Sequence, residues 1–145
     1  MKHQARGFTL AELVIVIVIA AILAAIAIPQ FNQPAIDAAW FHEQARSTVR
    51  YAQRTAVAQR RCVFVQVAPP DMRLFYGDGG CAITGTAVAD LASGQPVAIA
   101  APAGMAFGAA PGQFSFNGLG RPSAAATVTV GSRTITVTAE TGYVQ

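Results

Sequence analysis

The chain has 145 residues, 53% of them hydrophobic and only 12% charged, with two cysteines and a formal net charge of +3. That length holds one domain rather than several. Two cations, Lys2 and Arg6, sit at the extreme N-terminus; without them eight basic residues face seven acidic ones, so the high sequence pI is no argument for a nucleic-acid partner.

Met1–Gly7 is a short basic leader, and from Leu13 to Ile28 every residue is Ala, Val, Ile or Leu. With Phe8–Glu12 in front, this run predicts a helix of about 30 Å, the thickness of a hydrocarbon core. Lys2 and Arg6 place the leader on the cytoplasmic side and the remainder on the far side. Glu12 breaks the apolar run. A carboxylate at the centre of a membrane costs about 2.5–3.5 kcal/mol, less near the edge, and marks a functional position. It calls for a cationic partner, and Phe8–Ile28 contains no basic residue. A free amino terminus created at Phe8 would supply one. The competing reading is a secretory signal peptide cut after Ala25-Ile26-Ala27. It leaves Glu12 unexplained, and the run exceeds the usual apolar core of about 7–15 residues. The mature N-terminus separates the two: Phe8 in one case, Ile28 in the other.

Pro29 and Pro34 bracket a predicted bend. Beyond it, Asp37 suits the first turn of a second helical stretch. Phe41, Ala45, Val49, Ala52 and Ala56 recur at helical spacing and predict one buried stripe, the helix ending near Gln59–Arg61. Arg46, Arg50 and Arg54 form a separate i, i+4 row. That row suits either phosphate, bound without sequence preference, or a neighbouring subunit; Glu43 lies one turn from Arg46.

The remainder is rich in Ala, Gly, Val and Thr with short alternating runs, which predicts strands. Cys62–Val67 and Arg73–Tyr76 read as a hairpin pivoting near Pro70–Asp71, which brings Cys62 opposite Gly79–Gly80 and Cys81 within reach. A disulfide closing that loop would stabilise by about 3 kcal/mol; two free buried thiols are the alternative. Val97–Ala100 and Gln113–Phe116 read as further strands. Thr127–Val130 and Arg133–Thr138 flank Gly131-Ser132, a loop suited to a type II′ turn. Val128, Val130, Ile135 and Val137 are expected inside, and the intervening threonines outside. Ala82–Asp90 shows no clear pattern.

The segment Gly7-Phe8-Thr9-Leu10-Ala11-Glu12-Leu13, with Pro29 at the end of the apolar run, resembles the class III signal of type IV pilins and type II secretion pseudopilins. The resemblance implies cleavage between Gly7 and Phe8 and N-methylation of Phe8 by a prepilin peptidase/methyltransferase. It also gives Glu12 an assembly role, pairing with the Phe8 amine of an adjacent subunit. More loosely, Ala45–Arg61 followed by Val63-Phe-Val, Phe114–Pro122 and Thr141-Gly-Tyr-Val144 resemble pseudopilin H and FimT-type minor pilins, and minor pilins of mannose-sensitive haemagglutinin pili.

The implied fold is α+β, a long N-terminal helix with an anchor half and an amphipathic half, packed on a C-terminal antiparallel β-sheet domain. The expected divisions are leader 1–7, membrane and assembly helix 8–29, amphipathic half 30–61 and β-rich domain 62–145. The implied function is a minor pilin or pseudopilin that primes or tips a filament. Its partners would be other pilins or pseudopilins, an inner-membrane assembly platform and, before assembly, the bacterial inner membrane, with the C-terminal domain in the periplasm. The alternatives are pseudopilin H in type II secretion and a tip subunit that binds DNA or a surface. The basic Gly-Arg motif of DNA-binding members is missing from Glu140–Gln145, so a nucleic-acid partner is not expected.

Neither enzyme nor cofactor is expected. His42-Glu43 lacks the second histidine of a His-Glu-x-x-His zinc site. Asp78-Gly79-Gly80 offers one carboxylate where calcium takes about 6–8 oxygens.

Overall fold

The computed structural model describes residues 8–27 and 33–145. By contact density the chain divides into two units, Met1–Ile36 and Asp37–Gln145.

In the first unit, helix α1 runs from Leu10 to Ala27. Its N-terminus is set by Thr9, whose hydroxyl accepts the Glu12 amide at 3.2 Å while its carbonyl accepts the Leu13 amide at 3.2 Å. Thr9 is thus the N-cap and Glu12 the third helical residue, the spacing of a capping box. Every large apolar side chain from Phe8 to Leu23 is exposed. A helix apolar on all sides is stable only when lipid or other helices cover it. Among the described residues no helix is long and apolar enough to cross a membrane. The 18 residues of α1 rise about 27 Å, slightly under a hydrocarbon core of about 30 Å. The expected span continues to Ile28, which lies outside the described residues, as do Gly7 and Pro29, where a bend is expected.

Helix α2 spans Gln33–Gln59. Pro34 falls in its first turn, where a missing N–H costs nothing. Within the second unit, Phe41, Ala45, Val49, Ala52 and Ala56 are all buried, the stripe expected from their spacing. Three alanines on that stripe let the helix backbone approach the sheets closely. The helix ends in a Schellman motif. Arg60 has φ 49°, its amide reaches the Val57 carbonyl, and the Arg61 amide reaches that of Ala56.

Two antiparallel sheets receive α2. The first has the order β3-β2-β1-β6, with β4 also on β2: β1 Val63–Val67, β2 Asp71–Gly77, β3 Ile83–Ala87, β4 Ala98–Ala100 and β6 Gln113–Phe116. The second has the order β5-β7-β8: β5 Phe107–Ala110, β7 Ala126–Val130 and β8 Arg133–Val137. One core cluster joins α2 to both, with Val63, Val65, Met72, Leu74, Phe114 and Phe116 from the first sheet and Val128, Val130, Ile135 and Val137 from the second. Each such side chain contributes about 1.5–3 kcal/mol when fully buried. The Phe41 and Phe107 rings meet at 5.1 Å, tying α2 to β5. Among the described residues the buried core lies between Phe41 and Val144, within the second unit.

Three sequence readings shift in detail. The β1–β2 hairpin turns on Pro69-Pro70, because Ala68 and Asp71 exchange both backbone bonds and the two prolines, lacking N–H groups, occupy the loop. Cys62 therefore faces Gly77, whose amide donates to the Cys62 carbonyl at 2.8 Å. The unpatterned 82–90 stretch contains β3, an edge strand exposed on both faces and so without alternation. Strand β5 has no counterpart in the sequence reading: Gly108, Ala109 and Ala110 have no strand signature, and the pairing with β7 imposes the conformation. Gly108 lies so close to Thr129 that a Cβ there would meet its hydroxyl. The β7–β8 hairpin matches expectation, with Val130 paired to Arg133 across Gly131-Ser132 and Gly131 at φ +59°.

Candidate assembly surfaces

Phe8 is 78% exposed and Glu12 lies in the first turn of α1. At the third helical position the Glu12 carboxylate complements the N-terminal end of the helix dipole. The bond to Thr9 is made by the Glu12 amide, so the carboxylate itself gains only the helix-dipole interaction here. The Thr-x-x-Glu pattern before an apolar run carries that signal. From Leu13 to Leu23 every large apolar side chain of α1 is exposed.

In the second unit, the polar flank of α2 holds the end of the chain. Arg50 Nη2 donates to the Val144 carbonyl at 3.0 Å, and Gln53 Nε2 to the Gly120 carbonyl at 2.9 Å. His42 Nε2 lies 3.4 Å from the Thr134 carbonyl. Two glycines make this possible. Gly120 has φ +79° and Gly142 φ +69°, and a Cβ on Gly142 would run into the Gly120 carbonyl and come 2.6 Å from Gln53 Nε2. The turn Phe114–Pro122 and the terminal Thr141-Gly142-Tyr143, distant in sequence, meet on one residue of α2.

The arginine row is divided by these contacts. Arg50 is engaged with the backbone, Arg46 forms an ion pair with Glu43 at 3.5 Å, and Arg54 is exposed. Exposed ion pairs of this kind contribute about 0–1 kcal/mol. The three do not project together as a free cationic stripe. Arg54 instead borders a groove with Ser47, Tyr51 and Asp90. The Asp90 carboxyl is held below its ordinary value, chiefly by the Ser93 and Ala92 amides, with the Ser93 hydroxyl adding to this against a small opposing effect of burial.

At the end of α2, Cys62 and Cys81 form a disulfide with Cα atoms 5.4 Å apart. Cys81 reaches Cys62 through a tight turn in which Asp78 Oδ1 accepts the Gly80 and Ala82 amides at 2.9 and 2.8 Å, with Cys81 at φ 59°. The Asp78 side chain is thus occupied by its own loop. Arg61 Nη2 donates to the Gly77 carbonyl at 2.9 Å, and its guanidinium lies 4.1 Å from the Tyr76 ring centroid. Gln59 Nε2 donates to the Tyr76 hydroxyl at 3.1 Å.

Residues 2–28 match the family model of the prokaryotic N-terminal methylation motif. No curated protein matches the chain. Among solved structures, two crystal forms of the type IV minor pilin FimU from Pseudomonas aeruginosa (strain PAO1) are similar. One has TM-score 0.54 at 15% identity and covers 79% of this chain and 87% of that one. The other has TM-score 0.52 at 14% identity and covers 71% and 86%. The chain therefore combines an N-terminal methylation motif with the fold of a type IV minor pilin.

Proposed function

We propose that this chain is a minor pilin, cut between Gly7 and Phe8 by a prepilin peptidase, N-methylated on Phe8 and assembled through α1 into a type IV pilus-like filament. The observation that carries the reading is α1 itself: an all-apolar, exposed helix with one carboxylate in its first turn, inside the matched motif. Such a helix is covered first by the bacterial inner membrane, with the second unit in the periplasm, and then by the helices of other pilins at an assembly platform. In the filament Glu12 neutralises the Phe8 amine of an adjacent subunit, and the buried pair sets register. The likeness to FimU favours a pilus over a secretion apparatus. The place as a priming or tip subunit follows from the resemblance to pseudopilin H and FimT-type minor pilins. A phosphate-binding role for the arginine row loses support, because Arg50 and Arg46 already have partners.

The test is processing followed by incorporation. Mass spectrometry of the mature protein is expected to find N-methylated Phe8; a chain beginning at Ile28 would return it to ordinary secretion. Gly7→Val is expected to block the shift to the faster-migrating form. Glu12→Ala is expected to leave cleavage intact and impair incorporation, and normal filament incorporation by that variant overturns the assembly role.

A further inference from the structure

The two sulfurs of the Cys62–Cys81 disulfide have unequal surroundings. Cys62 is 3% exposed, and it packs so closely on Gly77 that a Cβ built there would lie 2.8 Å from the Cys62 Cβ and 2.9 Å from Phe64 Cε2. Cys81 is exposed. It borders an open cavity of about 380 Å³ whose wall also includes Cys62, Arg60, Arg61, Asp78 and Gly79. The turn that carries Cys81 has space around it. A Cβ on Gly79 would meet nothing within 4 Å, and one on Gly80 only Asp78 Oδ1 at 3.5 Å. Thiol–disulfide exchange begins when a thiolate reaches one of the two sulfurs, so access decides which is attacked. Cys81 is open to that approach, whereas Cys62 is shut off by its packing.

Charge in the cavity favours an anion. Arg60 and Arg61 supply two guanidiniums against one carboxylate, Asp78, whose Oδ1 accepts the Gly80 and Ala82 amides. A positive potential there concentrates an anionic thiol and stabilises the thiolate that departs. Both cysteines are also held in place independently of the bond between them. The Cys62 carbonyl accepts the Gly77 amide at 2.8 Å. The Cys81 amide donates to the Asp78 carbonyl at 3.2 Å, and the Asp78 amide to the Ala82 carbonyl at 2.9 Å. The Cα atoms stand 5.4 Å apart, within the span of a disulfide. The bond can therefore open and reform without rearranging the backbone on either side.

We propose that Cys81 is a site of reversible S-thiolation by a small anionic thiol, one that carries carboxylates and fits the cavity. The incoming thiolate attacks Cys81 Sγ. A new S–S bond forms between the two, the Cys62–Cys81 bond breaks, and its electron pair leaves on Cys62 Sγ, which takes a proton from water. The step exchanges one disulfide for another and consumes no further oxidant or reductant. Cys62, held close by, reverses it by attacking Cys81 Sγ and expelling the small thiol. The site lies wholly within the second unit and stands whether or not α1 has the role given above.

The test uses the full chain in mild detergent, with glutathione as the thiol. Acid quenching followed by peptide mapping in a mass spectrometer is expected to find glutathione on Cys81 and a free thiol at Cys62. Glutathione on Cys62 overturns the proposal. Single-cysteine variants give a second reading that does not depend on trapping. Cys62→Ser, which keeps Cys81, is expected to react with oxidised glutathione about tenfold or more faster than Cys81→Ser, and the difference is expected to vanish in concentrated urea. Equal rates for the two variants, both folded by circular dichroism, overturn the proposal as well. Arg60→Gly suits the left-handed end of α2 and removes one cation. It is expected to slow opening of the disulfide by reduced glutathione about twofold to threefold relative to uncharged mercaptoethanol. An unchanged ratio overturns the choice of an anionic thiol.

Discussion

Gln53 Nε2 donates to the Gly120 carbonyl at 2.9 Å, and that carbonyl packs directly on Gly142. One side chain of α2 thus fixes both the Asn117–Arg121 turn and the last segment of the chain. Gly142→Ala is expected to destabilise the unit by about 2–4 kcal/mol, from positive-φ strain plus overpacking. Gln53→Ala is expected to cost about 1 kcal/mol. Urea denaturation of residues 37–145 measures both, and equal small effects would show that the junction is looser than described.

Arg60 closes α2 at φ 49°, where glycine is the natural residue. Arg60→Gly is expected to raise stability by about 0.5–1 kcal/mol by removing the Cβ penalty. The readout is the denaturation midpoint at unchanged slope.

Reduction of Cys62–Cys81, or the double change Cys62→Ser and Cys81→Ser, is expected to lower stability by about 3 kcal/mol, the chain-entropy value for a loop of this size. The midpoint shift between oxidised and reduced protein tests this. An unchanged midpoint would mean that the Asp78 turn holds the corner unaided.

The folded-state pKa of Asp90 is depressed by the Ser93 and Ala92 amides. Its contribution is therefore present above the unfolded carboxyl pKa, about 4, and is lost as pH falls through the lower folded value. Asp90→Asn keeps an acceptor but not the charge. It is expected to be less stable than wild type at pH 7, and the gap is expected to close on acidification toward pH 2. A gap independent of pH would contradict the assignment.

One further variant separates the proposed assembly role of Glu12 from its place in the first turn of α1. Gln at this position preserves the capping-box pattern behind Thr9 but carries no charge. Glu12→Gln is expected to fail in filament incorporation as Glu12→Ala does, because the proposed pairing with the Phe8 amine needs the carboxylate. Recovery of incorporation by Gln would assign the residue to helix capping alone.

The stripe Phe41–Ala56 and the alternation in Thr127–Val137 were legible in sequence because each element buries one face against a single core, and periodicity records that directly. The disulfide was legible as well, although its register was not. A pivot near Pro70–Asp71 places the pairing two residues off, because the two prolines Pro69-Pro70 decide where pairing stops. Strand β5 was invisible because Gly108–Ala110 are strand only by virtue of β7. The arginine row illustrates a different limit. Spacing places Arg46, Arg50 and Arg54 on one side of a helix and Glu43 one turn from Arg46, but the partner of Arg50 is the carbonyl of distant Val144, which no local pattern records.

The junction where α2 passes into β1 also has a mechanical meaning. Arg61 is anchored to Gly77, Gln59 to Tyr76, and Cys62 covalently to Cys81, all within a few residues of the helix end. Strand β1, which follows, lies between β2 and β6 rather than at an edge. In the proposed filament, tension carried along α2 would enter the sheet through its interior strand. It then loads two hydrogen-bonded ladders in shear instead of peeling one strand from a border.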